Sequence, residues 1–244
     1  MAAERISLVT GGTGAVGKAI CQALARDGSD IAFTFHKQEA RAHELAAEIE
    51  SLGRRVFFAP VEARSGQAIE AFCTRVEEEF GRIDVLVNNL GIIQVMPFAL
   101  LDEEDWDDIM QVNIKSMFLF SKAVLRGMVR RKQGVILNMG SIGGHRLLEV
   151  PVHYATAKAA VSGFTLSLAK ELCRYGIRVN EICPGLIEGG IGSNVSPRQL
   201  EEYNAYCSMG RPGDPREVAE MVAFLASARA TYINAQRMVI DGGL

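Results

Sequence analysis

A rhythm constrains this chain more than any single motif. Short runs of branched and apolar residues recur at Ile6–Val9, Ile31–Phe35, Val56–Phe58, Val85–Val87, Val135–Leu137, Val179–Ile182 and Met238–Ile240. Helix-length segments separate them: Gly17–Arg26, Glu39–Leu52, Ala68–Phe80, Glu104–Arg131 and Tyr154–Tyr175. Several runs are apolar at successive positions instead of alternate ones, the pattern of strands covered on both faces. Such alternation builds right-handed strand–helix–strand units, so the expected fold is α/β, a Rossmann-type doubly wound parallel sheet of about seven strands with helices on both faces.

The 244 residues suit one domain, 1–244, with no repeat, low-complexity tract or linker. The loosest stretch is EGGIGSNVSP from Glu188 to Pro197; the segment 188–208 either covers a ligand or is a plain surface loop. A net charge of −3 gives no electrostatic reason to expect nucleic acid or an acidic membrane as partner. No run approaches the ~20 apolar residues of a membrane span, and the start enters a strand pattern before a signal-peptide core forms. Cys21, Cys73, Cys173, Cys183 and Cys207 form no CxxC pair, so reduced thiols and a cytoplasmic location are expected.

The first strand runs into Thr10-Gly11-Gly12-Thr13-Gly14-Ala15-Val16-Gly17 before a helix begins. Glycines there allow a tight turn and close backbone approach, while free amides at the helix start suit a pyrophosphate. The second strand ends in Phe33-Thr34-Phe35-His36-Lys37, without the acid that commonly binds the adenosine ribose hydroxyls of NAD. Lys37, and His36 when protonated, favour a 2′-phosphate, and hence NADP(H) over NAD(H). Glu39 is the contrary candidate, although it also fits a helix start.

Tyr154 and Lys158 are four apart in an expected helix and emerge on one face. An ammonium near a phenol favours phenolate, which moves a weak acid toward proton transfer at neutral pH. Ser141 follows the apolar strand GVILNMG, at a carboxyl strand end where ligands gather. Asn113 lies in VNIKSMF of the preceding helical stretch. With TGGTGAVG, NNLG at Asn88 to Gly91, PGLIEGG at Pro184 to Gly190 and the ending DGGL, this ordered set resembles the short-chain dehydrogenase/reductase family over essentially the whole chain. Within it the chain is most similar to 3-oxoacyl-ACP reductases and related ketoreductases, while sugar, steroid and small-alcohol enzymes share much of the framework.

The resemblance implies an enzyme that interconverts a ketone and a secondary alcohol using a nicotinamide cofactor. It implies Tyr154 as acid/base, Ser141 as donor to the substrate oxygen, Lys158 as the group that lowers the tyrosine pKa and holds the nicotinamide ribose, and Asn113 as holder of a relay water. It also places cofactor contacts at Gly11, Gly12, Thr13, Gly14, Val16, Gly17, His36, Lys37, Glu62, Asn89, Gly91, Pro184, Gly185 and Ile187. A ketone or acyl thioester as substrate, an acyl-carrier protein as partner and a homotetramer are further expectations; a catalytically silent nucleotide sensor is the alternative from another class.

Four positions depart from the family pattern: Ala15 and Leu90 where glycine and alanine are usual, Gly189 where a threonine often contacts the cofactor, and Gly14 where an arginine often assists NADPH selection. Arg126, Arg130, Arg131 and Lys132 either meet an acidic carrier protein or complement a helix dipole. Asp102 to Asp108 fit a helix start better than a metal site. His145 and His153 show no metal-ligand spacing, no activated thiol is indicated at Cys183, and no metal is expected.

Overall fold

Seven parallel strands carry the fold in the order β3-β2-β1-β4-β5-β6-β7. The computed structural model describes residues 5–191 and 195–244. The strands are β1 Arg5–Val9, β2 Ser29–Phe35, β3 Val56–Pro60, β4 Val85–Asn88, β5 Gly134–Met139, β6 Ile177–Pro184 and β7 Arg237–Ile240. Each contains one of the apolar runs of the sequence. The longer helices are α1 Ala15–Arg26, α2 Glu39–Ser51, α3 Gly66–Phe80, α4 Glu103–Met110, α5 Ser116–Arg131, α6 Val152–Leu172, α7 Pro197–Tyr206 and α8 Pro215–Ala226.

Successive strand residues point to opposite faces, so each strand feeds two cores. On one face Val9, Ile31, Phe33 and Phe35 pack with Ile20 and Leu24 of α1, Leu45 of α2 and Val222 of α8. On the other, Ile6, Leu8 and Ala32 pack with Phe72 of α3, Phe120 and Val124 of α5 and Leu172 of α6. Every residue of β2 is buried, as a continuous apolar run requires. The strand order reverses at β1, which pairs with β2 on one side and β4 on the other. The crevice above that reversal, at the carboxyl ends, is where such sheets bind ligands.

Two expected helices change form. The segment expected as one helix from Glu104 to Arg131 is interrupted by a π-helical turn, Gln111–Lys115. Side chains compete for its backbone acceptors: Asn113 Nδ2 donates to the Ile109 carbonyl at 3.0 Å and Ser116 Oγ to the Val112 carbonyl at 2.7 Å. The second tightens after Leu172 into a 3-10 turn, Cys173–Tyr175. The acidic run caps α4, with Asp102 and Asp105 forming a reciprocal capping box. RPGDP caps α8, with Asp214 at the N-cap and Pro215 in its first turn.

Candidate active site

The glycine-rich turn leaves β1 and opens α1 two residues earlier than the sequence pattern suggests. Gly14 is the N-cap and makes no side-chain cap, so the first amides of α1 remain open to an anion. Gly11 takes φ +69°, and a Cβ on Gly12 would lie 2.7 Å from the Phe33 ring. A Cβ on Gly17 would lie 2.2 Å from the Gly11 carbonyl oxygen. The turn is tied to both neighbouring strands. Gly11 N donates to Thr34 Oγ1 at 3.0 Å, and the amides of Asn89 and Leu90 donate to Thr10 Oγ1 at 3.0 and 2.9 Å. Asn89 Nδ2 returns a bond to the Thr10 carbonyl at 2.9 Å. Thr13 is half-buried, and Val16 packs against the core and so anchors the turn. These features fit a dinucleotide pyrophosphate: a cradle without side chains, backed by an uncapped helix start.

At the adenosine end, His36 and Lys37 are exposed just beyond β2. An acid from another segment does reach this end: Glu62, two residues beyond β3, places Oε2 3.7 Å from His36 Nε2. The Arg64 amide donates to Glu62 Oε1 at 3.1 Å and, with the guanidinium, holds this carboxyl below its usual range; Arg64 also pairs with Asp108. Glu39 sits in the first turn of α2 within 3.9 Å of His43, as a helix-start acid would.

The catalytic candidates meet at the carboxyl ends of β4 and β5. Ser141 caps a short 3-10 turn, Ile142–Gly144, its Oγ accepting from Gly143 N at 3.1 Å. Tyr154 and Lys158 descend from α6 and are buried. Burial pushes the Tyr154 phenol up, and a hydrogen bond with Ser141 draws it down. Lys158 Nζ lies 5.8 Å from the Tyr154 ring centroid and donates to the Met139 carbonyl at 2.9 Å. Burial lowers its ammonium to about 8, against the opposing pull of Cys183 and Glu181. Gly91 makes room for this meeting: a Cβ there would lie 2.8 Å from Asn113 Oδ1 and 3.4 Å from Lys158 Nζ. The Asn113 side chain bonds the backbone of Ile92 in both directions, at 3.0 and 3.2 Å, and so clamps the loop after β4 to the π turn.

The loop after β6 closes the third side. Pro184 ends the strand, and Gly185 N donates to the Ile240 carbonyl at 2.8 Å. Ile187 is buried and bridges Gly213. Helix α7 docks through Tyr203, whose hydroxyl accepts from Leu186 N at 3.1 Å and donates to the Asp241 carbonyl at 3.2 Å. Part of the expected covering segment, residues 192–194, lies outside the described residues.

Comparison with known proteins agrees with this fold. A family model described as Enoyl-(Acyl carrier protein) reductase matches residues 12–244. A 3-oxoacyl-[acyl-carrier-protein] reductase FabG of Vibrio cholerae is 38% identical over 240 residues, covering 98% of this chain and 97% of the relative. The Escherichia coli K12 FabG is 35% identical over the same shares. A short-chain dehydrogenase/reductase from Serratia marcescens superposes with a TM-score of 0.92 at 28% identity, covering 98% of this chain and 97% of that one. Acetoin dehydrogenase from Enterobacter cloacae superposes at 0.89 with 33% identity, covering 98% and 96%. The chain belongs to the short-chain dehydrogenase/reductase family. It is accordingly an oxidoreductase of the nicotinamide-dependent kind.

Some features of this reductase escaped motif reading. Glu181 is 1% exposed within β6, and an acid inside an otherwise buried strand was the available signal. His145, Glu181 and Cys183 bring donor atoms within 4.8 Å of one another although no motif spacing links them. His153 is buried with neither ring nitrogen bonded. Burial and the adjacent Glu181 push the Cys183 thiol far up, which leaves it protonated and inert. The basic run at Arg126, Arg130, Arg131 and Lys132 ends α5 just before β5 begins, at the amino edge of the sheet and away from the crevice. Arg131 donates to the Ile83 carbonyl there, so dipole complementation and packing account for the run better than carrier docking at the site. No helix among the described residues is long and apolar enough to cross a membrane.

Proposed function

We propose that this chain reduces the ketone of a 3-oxoacyl thioester, carried on an acyl-carrier protein or a smaller thiol, to the secondary alcohol with NADPH. The observation that carries the reading is the convergence of Ser141, Tyr154 and Lys158 beside an uncapped, glycine-lined helix start. Bound reduced nicotinamide supplies hydride chemistry. Ser141 Oγ and the Tyr154 hydroxyl offer two donors to one carbonyl oxygen, and they stabilise it most as negative charge grows there. Tyr154 gives up its proton to that oxygen, and Lys158, fixed by the Met139 carbonyl, supports the phenolate left behind. Asn113 spends its side chain on the backbone of Ile92 and Ile109, so a relay water would meet the main chain of the π turn.

Two surface features support the finer terms. Val95, Phe98 and Leu100 after β4 and Leu147 after β5 expose apolar side chains at the carboxyl edge, a surface suited to an acyl chain more than to a sugar. Lys37 and His36 favour the 2′-phosphate, with the Glu62 charge partly answered by Arg64. The relatives' names give the same substrate class. Five free thiols fit the cytoplasm, and a homotetramer completes the reading. The test is a panel of ketones and acyl thioesters assayed with NADPH and NADH at the reduced-nicotinamide absorbance band, on the native chain and Tyr154→Phe. Thioester turnover with NADPH, lost in Tyr154→Phe, is expected. Coenzyme binding without turnover on any substrate would instead make the chain a nucleotide sensor.

A further inference from the structure

Strand β6 buries a carboxylate that the catalytic assignments leave unused. Glu181 is held by its neighbours: the Ser162 hydroxyl donates to Oε2 at 2.5 Å, the Cys183 thiol donates to Oε1 at 3.0 Å, and His145 Nε2 lies 3.4 Å from Oε1. Among the described residues no lysine or arginine comes within ion-pair distance of it. A buried carboxylate so placed is costly unless a nearby positive charge answers it.

Two cations stand near: Arg237, exposed on the paired strand β7, and the buried Lys158, on which Glu181 acts. Ser162 stands one turn beyond Lys158 on α6, so the hydroxyl that fixes the carboxylate shares a helix face with the ammonium. Glu181 also lies flat against the backbone that carries the site: a Cβ on Gly140 would be 2.1 Å from Oε1. Gly140 follows Met139, whose carbonyl accepts from Lys158, and precedes Ser141; its own amide donates to the Ile182 carbonyl at 2.8 Å. Lys158 in turn is buried with a neutral carbonyl as its partner, and among the described residues no carboxylate forms a contact ion pair with it.

We propose that Glu181 is a positioning residue for Lys158, its buried carboxylate keeping the ammonium protonated while its packing holds the Gly140–Ser141 turn against α6. The proposal rests on the role given to Lys158 above. A carboxylate in a poorly screened interior favours the charged form of a neighbouring ammonium. The titratable and charged groups around the pair are Tyr154 on α6, His145 after β5, Cys183 on β6 and Arg237 on β7, which pairs in register with Glu181 and acts on Cys183. Burial and Glu181 push the Cys183 thiol far up, so of the two groups that act on Lys158 the carboxylate is the one that bears on its charge. Although His145, Glu181 and Cys183 have the make-up of a metal set, their donors already serve these hydrogen bonds. Arg146 and Arg237 also line the adjoining cavity of about 170 Å³, which disfavours a cation.

The test reads Lys158 directly. With lysine labelled at Cε and the Lys158 resonance assigned from Lys158→Arg, NMR follows its titration in the free enzyme. In Glu181→Gln the midpoint should fall by about one pH unit or more. Glu181→Ala is a second neutral variant read in the same way, while Glu181→Asp and Cys183→Ala keep the charge and should hold the native midpoint. The pH limb of kcat that reports Lys158 should move with the resonance. A folded neutral variant with an unmoved midpoint overturns the proposal, as does activity lost while the midpoint stays put. If the native enzyme turned over no ketone, the resonance would still judge Glu181, so failure of the catalytic reading and failure of this one remain distinct.

Discussion

Ala15 and Gly189 face each other across the start of α1, so closely that a Cβ on Gly189 would lie 3.0 Å from the Ala15 methyl. In the sequence these are two separate departures from the family pattern. In the structure they are one, since the methyl added at the first turn of α1 takes the space that a side chain at position 189 would need. Gly189 also adopts φ +75°, which a threonine enters only with strain.

The pair predicts non-additive energetics. Gly189→Thr should destabilise the fold by about 1–3 kcal/mol through backbone strain and the methyl contact. Adding Ala15→Gly should recover the contact part, giving a coupling of about 1 kcal/mol in a urea-denaturation double-mutant cycle. Strict additivity would show that the two positions do not meet in solution.

Coenzyme choice follows from the charges beyond β2. Replacing His36 and Lys37 together with neutral residues should raise the NADPH Michaelis constant roughly tenfold, about 1.4 kcal/mol, and the NADH constant far less. Glu62→Gln should act in the opposite sense, because its carboxylate sits 3.7 Å from His36 and opposes a phosphate there. Steady-state kinetics with both coenzymes decide the matter; equal changes would discard the assignment.

Gly91 offers a test of catalytic geometry that leaves every catalytic group in place. A methyl there would press on Asn113 Oδ1 and approach Lys158 Nζ. Displacements near 1 Å cost catalysis about 10²-fold, so Gly91→Ala should lower kcat by that order while unfolding stays cooperative. Unchanged kcat would mean that the loop after β4 yields freely.

The strands and the meeting of the candidate catalytic side chains were legible because each rests on a local pattern. Apolar runs mark buried strands, and the four-residue spacing puts Tyr154 and Lys158 on one helix face. What escaped depends on contacts between distant segments. The π turn at Asn113 arises from side chains taking backbone acceptors, which a helical periodicity does not reveal. Glu62 reaches His36 only because β3 lies beside β2 in the sheet. The electrostatics of Lys158 likewise depend on β6 lying beside β5, which brings Glu181 behind Gly140. The spacing of Tyr154 and Lys158 also does not reveal that burial pushes the Tyr154 phenol up or that a hydrogen bond with Ser141, from another segment, draws it down.

His153 links burial to pH-dependent stability. Both ring nitrogens are buried without a partner, an arrangement that costs about 1–3 kcal/mol. Burial holds its imidazole below the usual range, with Asp105 opposing. In the unfolded chain the ring takes up a proton near pH ~6.5. The native state resists that proton until a lower pH, so stability is undiminished above ~6.5 and falls as pH drops toward the native value. His153→Leu removes both the orphaned nitrogens and the titration. Its Tm should equal or exceed that of the native chain at pH 7, and the gap should widen in the variant's favour as the pH is lowered toward 5.5. Parallel Tm curves would show that the native fold accepts this proton as readily as the unfolded chain does.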